Sequence, residues 1–179
     1  MRAALRPAVS VLLTMFVLGG LAVATGAPLV FPSLGPTAYL LFATPSHPAA
    51  SPRNALSGHL VGVVSGAVAL TAFGLWEVPA DLANATWARV GAAALALTLT
   101  CGGMVWSGLP HPPAGATTLI VALGVLRTPA HLAVVLAGVV LLVAAGWVVN
   151  RAAGVPYPAW RPAAPPEAAP DNRLRRASA

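Results

Sequence analysis

Apolar residues in this chain come in long unbroken blocks, not at alternate or third-and-fourth positions. Four blocks stand out, at about residues 8–26, 54–76, 88–107 and 130–150. Each approaches the roughly 20 residues that a helix needs to span hydrocarbon. Two shorter blocks lie between them, at about 36–44 and 114–126. Pro28, Pro32, Gly35 and Pro36 precede the first, and Gly108, Pro110, Pro112 and Pro113 precede the second. Proline fixes φ and lacks a donor, so these prefixes are not regular helix. The pattern predicts an all-α integral membrane protein. It has four long transmembrane helices and two membrane segments broken by Pro and Gly, each a half-helix entered through extended chain. Residues 77–87, with Glu77 and Asp81, read as a polar loop.

The blocks also repeat. Displacing the chain by 80 residues puts Pro32 on Pro112, Gly35 on Gly115, Thr37 on Thr117, Gly58 on Gly138 and Gly66 on Gly146. These are mostly residues with special backbone behaviour, which favours duplication over chance composition. The unit of helix, broken half-helix and helix is used twice, at about 8–76 and 88–150. If each broken segment only dips in and returns, the copies are parallel. If each crosses, they are inverted. Extended residues 28–35 plus a short helix reach roughly 40 Å, enough to cross. Inverted copies are the expectation, by analogy with transporters built from broken helices.

Composition narrows the class. The chain is 58% hydrophobic and 8% charged, where soluble domains carry about 25% charged residues. A soluble enzyme, a disordered protein and a nucleic-acid reader are excluded. The net charge of +6 comes from ten Arg against four acids, with no Lys. Arg2, Arg6, Arg151, Arg161, Arg173, Arg175 and Arg176 lie towards the chain ends. That bias reads as topology and contact with anionic lipid, with both termini on the cytoplasmic side of a bacterial-type plasma membrane. Trp76, Trp87, Trp106, Trp147 and Trp160 fall near segment ends, as interfacial rings do. The first block, although preceded by Arg2 and Arg6, is long for a signal peptide and reads as a retained helix. Residues 1–153 form the membrane domain. Residues 154–179, rich in Pro, Ala and Arg, read as a disordered tail. Cys101 reads as a small buried hydrophobe.

Candidate chemistry gathers at two motifs. One runs Phe31-Pro32-Ser33-Leu34-Gly35-Pro36-Thr37-Ala38, the other His111-Pro112-Pro113-Ala114-Gly115-Ala116-Thr117-Thr118. Irregular backbone at membrane depth is tolerated only where it is buried in protein or lines a wet cavity. Helix starts carry free N–H groups and partial positive charge. Two such starts meeting near the midplane would hold an anion without a buried Lys or Arg. Ser33, Thr37, Thr117 and Thr118 would add hydroxyl donors, and Gly35 and Gly115 would allow close approach. In the competing reading, the Pro merely break helices and the hydroxyls cap them. His111 stands where the first copy has Phe31. It either donates to an anion or carries a proton, or it bonds a backbone carbonyl as a structural residue. His59 either lines the substrate path or bonds across helices. Gly58, Gly62 and Gly66 form a bare stripe for close helix packing, and Gly138 and Gly146 repeat it. The four His have no i, i+3 or i, i+4 spacing, so neither a metal site nor a cofactor is expected. No carboxylate lies in an apolar block, so enzymatic activity is not expected either.

Two stretches carry a family resemblance. Ser33-Leu34-Gly35-Pro36-Thr37-Ala38-Tyr39-Leu40-Leu41-Phe42 runs on to Pro52-Arg53-Asn54 and Gly58-His59. His111-Pro112-Pro113-Ala114-Gly115-Ala116-Thr117-Thr118 follows. In this order, over about residues 8–150, they resemble the HPP family of integral membrane proteins. The resemblance implies about four transmembrane helices, and plastid and cyanobacterial members are associated with nitrite transport. It implies a transporter or channel for a small monovalent anion, nitrite first. The candidate substrate residues are Ser33, Gly35, Thr37, His59, His111, Gly115, Thr117 and Thr118. Pro36 stands where many relatives carry Ala, which removes one backbone donor. The alternative is a non-transporting sensor or assembly protein whose motifs are structural. The expected partners are the bilayer, a small anion and, through the glycine stripes, a second copy of the chain, with no nucleic acid.

Overall fold

The computed structural model describes residues 2–162, which are all-helical with no strand. The helices are α1 (Arg2–Thr25), α2 (Leu34–Ala43), α3 (Pro52–Ala72), α4 (Trp87–Ser107), α5 (Ala114–Ala122) and α6 (Pro129–Ala152). A single 3-10 turn, Pro48–Ala50, precedes α3. Helices α1, α3, α4 and α6 are long and apolar enough to cross a membrane.

Local chemistry sets the boundaries. Hydroxyls of Ser51, Thr86 and Thr128 accept the backbone N–H groups of Asn54, Arg89 and His131 and so cap α3, α4 and α6. Pro52 and Pro129 open α3 and α6, where a missing N–H costs nothing. The same reason moves the start of α2 from the expected residue 36 back to Leu34. Pro36 lies in the first turn, whose N–H groups need no intrahelical partner. The expected end of α5 at residue 126 is corrected to Ala122. Gly124 breaks it with a left-handed φ of +82°, and an added Cβ there would sit 2.7 Å from the Arg89 guanidinium.

The helices pack in two groups. Helices α1, α2 and α6 touch one another, as do α3, α4 and α5, and α3 also packs on α6. Each short helix therefore lies between the first long helix of its own half and the last long helix of the other half. The glycines make this approach possible. A Cβ on Gly58 would meet the His111 Cβ at 2.7 Å, and one on Gly138 would meet Phe31 Cε1 at 3.0 Å. Likewise Gly66 faces the Val121 Cβ at 2.7 Å, and Gly146 faces Leu41 Cδ2 at 2.8 Å. Each pair maps onto the other by moving one residue forward and its partner back by 80 positions. Gly62 backs directly onto the Ala114 carbonyl, 2.8 Å from its would-be Cβ.

Buried polar contacts group the helix ends. Arg6, early in α1, donates to the Phe42 carbonyl near the end of α2 (3.0 Å) and to Asn150 Oδ1 near the end of α6 (3.3 Å). The Asn150 amide donates to the Leu41 carbonyl at 2.8 Å. At the other end of the bundle, Arg89 of α4 donates to the carbonyl of Ala122, the last residue of α5, at 3.1 Å. It also donates to the carbonyls of Val78 and Pro79 in the α3–α4 loop. Arg127 donates to the Trp76 carbonyl at 2.7 Å. Three arginines thus satisfy carbonyls that helix ends and turns leave open. The assignment of Arg6 to topology and lipid alone is corrected.

Residues 154–162 correct the expected tail boundary. They dock on the body: Tyr157 is buried and its hydroxyl donates to the Ala50 carbonyl at 2.7 Å, while the Trp160 carbonyl accepts the Arg53 N–H at 3.0 Å. An aromatic ring with a carbonyl in reach outweighs the Pro-rich composition around it. Burial pushes the Tyr157 phenol up, so the hydroxyl keeps its proton and stays a donor. The rest of that segment, 163–179, lies outside the described residues. Cys101 is exposed on α4 instead of buried.

Candidate functional site

The starts of α2 and α5 meet inside the bundle. Both follow one pattern: a Pro-led turn in which Leu34 N–H bonds the Phe31 carbonyl and Ala114 N–H bonds the His111 carbonyl, each at 3.0 Å. Ser33 occupies the cap position of α2 but makes no capping bond. Its hydroxyl lies 2.7 Å from that of Thr117. Thr37, one turn on, donates to the Ser33 carbonyl at 2.8 Å.

Two histidines complete the cluster. His59 projects from α3 with Nδ1 at 2.7 Å from the Thr117 hydroxyl and Nε2 at 3.0 Å from that of Thr37. His111 opens the turn before α5, with Nε2 at 3.2 Å from His59 Nε2 and 3.3 Å from the Thr37 hydroxyl. Its Nδ1 lies 2.7 Å from the Ala49 carbonyl. The ring centroids are 4.8 Å apart. Ser33, Thr37, His59, His111 and Thr117 are all fully buried. A polar atom buried without a partner costs about 1–3 kcal/mol. The completeness of this network therefore explains how five polar side chains coexist in an apolar bundle.

The Ala49 carbonyl fixes the first direction. It can only accept, so His111 Nδ1 carries a proton. In a neutral ring His111 Nε2 is then a bare acceptor, and His59 Nε2–H faces it. His59 Nδ1 is in turn an acceptor, so Thr117 donates to it and Ser33 donates to Thr117. The Ala49 carbonyl and the Ser33 carbonyl, which holds the Thr37 proton, together set both tautomers and both hydroxyl orientations.

The structure joins Ser33, Thr37, His59, His111 and Thr117, and it separates the other three predicted residues. Thr118 faces α4, where its hydroxyl meets Thr100 at 2.8 Å. Gly35 is exposed with nothing within 4 Å of a would-be Cβ, and Gly115 faces Leu97 of α4. For α5 the expectation of free N–H groups at the helix start is also corrected. Those of Ala114, Gly115 and Ala116 bond the carbonyls of His111, Pro112 and Pro113, because a Pro-led turn supplies its own acceptors. The donors facing the cluster are side chains. Sequence reasoning missed Ala49 and the direct His–His contact. The two His lie 52 residues apart and on elements related by no local spacing. Asn54, buried, ties the second motif to α3 by donating to the Pro110 carbonyl at 3.2 Å. Among the described residues no group of three His, Cys, Asp or Glu gathers that could hold a metal ion. An apolar groove of about 540 Å³ lies outside His111, lined by Cys101, Met104, Pro110 and Gly115 among others.

Four apolar helices enclosing a polar centre define an integral membrane protein. The chain matches the family described as "HPP, transmembrane region" over residues 1–158, and it belongs to that family. It is also similar to two transmembrane proteins of Dictyostelium discoideum. One is 34% identical over 88 residues, covering 49% of this chain and 25% of that protein. The other is 33% identical over 93 residues, covering 52% and 30%. The chain thus spans under a third of the length of these relatives. No solved structure matches it.

Proposed function

We propose that this protein is a transporter or channel for a small monovalent anion, nitrite first, and not an enzyme. The observation that carries the reading is the buried cluster of hydroxyls and imidazoles where α2 and α5 meet. It contains no carboxylate, so nothing in it repels an anion. It holds no fixed cation either, which favours a weakly hydrated single charge over sulfate or phosphate. The Ser33–Thr117 bond spans the junction of the two short helices. An anion entering there replaces that bond and receives the Ser33 hydroxyl.

We further infer two inverted copies of the helix, broken half-helix, helix unit. Supporting this are the glycine contacts that interchange under the 80-residue displacement, and the two arginines that bond the matching carbonyls of Phe42 and Ala122 at opposite ends of the bundle. With each short helix ending beside the start of its own first long helix, each broken segment returns across the membrane. Arg6, Arg53, Arg151 and Arg161 belong to one end, while Arg127 and Arg89 share the other with the loop of Glu77 and Asp81. The positive-inside rule favours a cytoplasmic location for the first end, which holds the start of α1 and the end of α6. Outward-facing Leu12, Phe16, Val17 and Val23 of α1 are suited to lipid or to a second copy of the chain.

The rival reading is a sensor or assembly protein with a structural motif. It draws on the hydrogen bonds that the buried side chains make to one another. Uptake by the purified protein in liposomes, against nitrite, nitrate, formate, chloride and bicarbonate, decides between them. Nitrite uptake above empty vesicles is expected; no movement of any of the five rejects transport for that panel.

A further inference from the structure

The direction of the hydrogen bonds carries a consequence for what travels with the anion, and it rests on the transport reading of the same site. We propose that the site takes one proton together with each anion, held on the His59–His111 pair, so that the species moved is formally a weak acid.

With both rings neutral, no hydroxyl proton is free. The Ala49 carbonyl holds His111 Nδ1–H and the Ser33 carbonyl holds the Thr37 proton, so His59 keeps its proton on Nε2. Thr117 then gives its proton to His59 Nδ1, and Ser33 gives its proton to Thr117. An anion arriving at Ser33 and Thr117 meets oxygen lone pairs and donors already engaged.

One added proton reverses this. It enters at His59 Nδ1, and the proton on His59 Nε2 passes to His111 Nε2 across the 3.2 Å contact. His111 becomes an imidazolium with its Nδ1–H still on Ala49, and His59 becomes the neutral Nδ1–H tautomer. Three N–H protons now stand where two stood before, and no heavy-atom bond changes. His59 Nδ1–H donates to Thr117, whose own proton is released towards the anion. The Thr37 oxygen, 3.0 Å from His59 Nε2 and 3.3 Å from His111 Nε2, accepts from His59 before this transfer and from His111 after it. The proton therefore supplies both a donor and a neutralising charge, and each ligand raises the affinity for the other.

Few other groups compete. From α2 and α5 the cluster receives only hydroxyls. On α4, Cys101 lines the groove outside His111. On the Ala49 side stand His47, which accepts the Ala49 N–H, and Tyr157, bonded to Ala50. The described carboxylates, Glu77 and Asp81, lie in the α3–α4 loop.

The test uses the full chain in liposomes with a trapped pH dye, nitrite outside, neutral pH and the voltage clamped by potassium and valinomycin. Leakage of nitrous acid through empty vesicles is subtracted. One proton entering per nitrite, at a rate independent of voltage, is expected. Protein-dependent nitrite entry without acidification, at a rate that follows voltage, overturns the proton step and leaves anion transport standing. Absence of protein-dependent flux for every anion tried removes both. A second readout needs no flux: nitrite added to the solubilised protein in weakly buffered solution takes up one proton per site bound, and binding without proton uptake overturns the proposal.

Discussion

Replacing Gly58 by Ala tests the packing that brings His111 into the cluster. The added Cβ would lie 2.7 Å from the His111 Cβ and 3.5 Å from that of Ala114, where ordinary contact is 3.4–4 Å. The turn before α5 must therefore retreat from α3 by about 1 Å, and overpacking of this kind costs about 1–3 kcal/mol. Against this, Ala in a helix interior gains about 1 kcal/mol over Gly from propensity. Gly102→Ala on α4 supplies the control, because nothing lies within 4 Å of its would-be Cβ. Both variants share the propensity gain, so their difference isolates the contact. Thermal unfolding in detergent, followed by loss of the monodisperse chromatographic peak, should place Gly58→Ala below Gly102→Ala. For a net difference near 2 kcal/mol the gap is roughly 4–8 °C. Gly66→Ala, facing the Val121 Cβ at 2.7 Å, should behave like Gly58→Ala, and Gly138→Ala, with its nearest atoms at 3.0 Å, should cost less. Equal midpoints for Gly58→Ala and Gly102→Ala would refute the close approach of α3 to the second motif.

Other substitutions probe separate parts. Arg89→Met leaves the Ala122, Val78 and Pro79 carbonyls without their charged donor; a loss of about 2–3 kcal/mol is expected by the same unfolding assay, and a neutral result would remove Arg89 from the anchoring of α5. Tyr157→Phe deletes the bond to the Ala50 carbonyl, for an expected loss of about 1–2 kcal/mol and faster proteolysis near residue 157. His111→Ala should retain the fold and lower anion flux; unchanged flux would take His111 out of the mechanism.

Much of the architecture was legible because lipid enforces it. Blocks of some twenty apolar residues have few uses besides spanning, and Pro32, Pro112 and Pro113 announce where helix cannot run. The 80-residue displacement picked out Gly58, Gly66, Gly138 and Gly146, and each of them backs onto a short helix or the turn before it. The site was legible in part. Ser33, Thr37, His111 and Thr117 stood out because polar side chains beside broken backbone need partners. His59 did too, but its contact with His111 is set by the crossing of α3 against the second motif, which no local spacing encodes. Gly35, Gly115 and Thr118 share the motif yet face away, because the rotation of a helix about its own axis depends on what it packs against. Arg6 was misread for a related reason. An arginine at a helix start looks the same in sequence whether it meets lipid phosphate or the open carbonyls of a neighbouring helix end.

The most direct test of the central claim is nitrite uptake into liposomes by Thr117→Val and Thr117→Ser beside the natural protein. Valine keeps the shape of Thr117 and removes the hydroxyl that links Ser33 to His59, leaving partners that cost about 1–3 kcal/mol each when unpaired. Serine keeps the hydroxyl. If the buried cluster is the anion site, Thr117→Ser retains uptake above empty vesicles, while Thr117→Val, checked to elute as a folded species, loses roughly ten-fold or more, the equivalent of at least about 1.4 kcal/mol. Equal uptake by the valine variant and the natural protein would contradict the account.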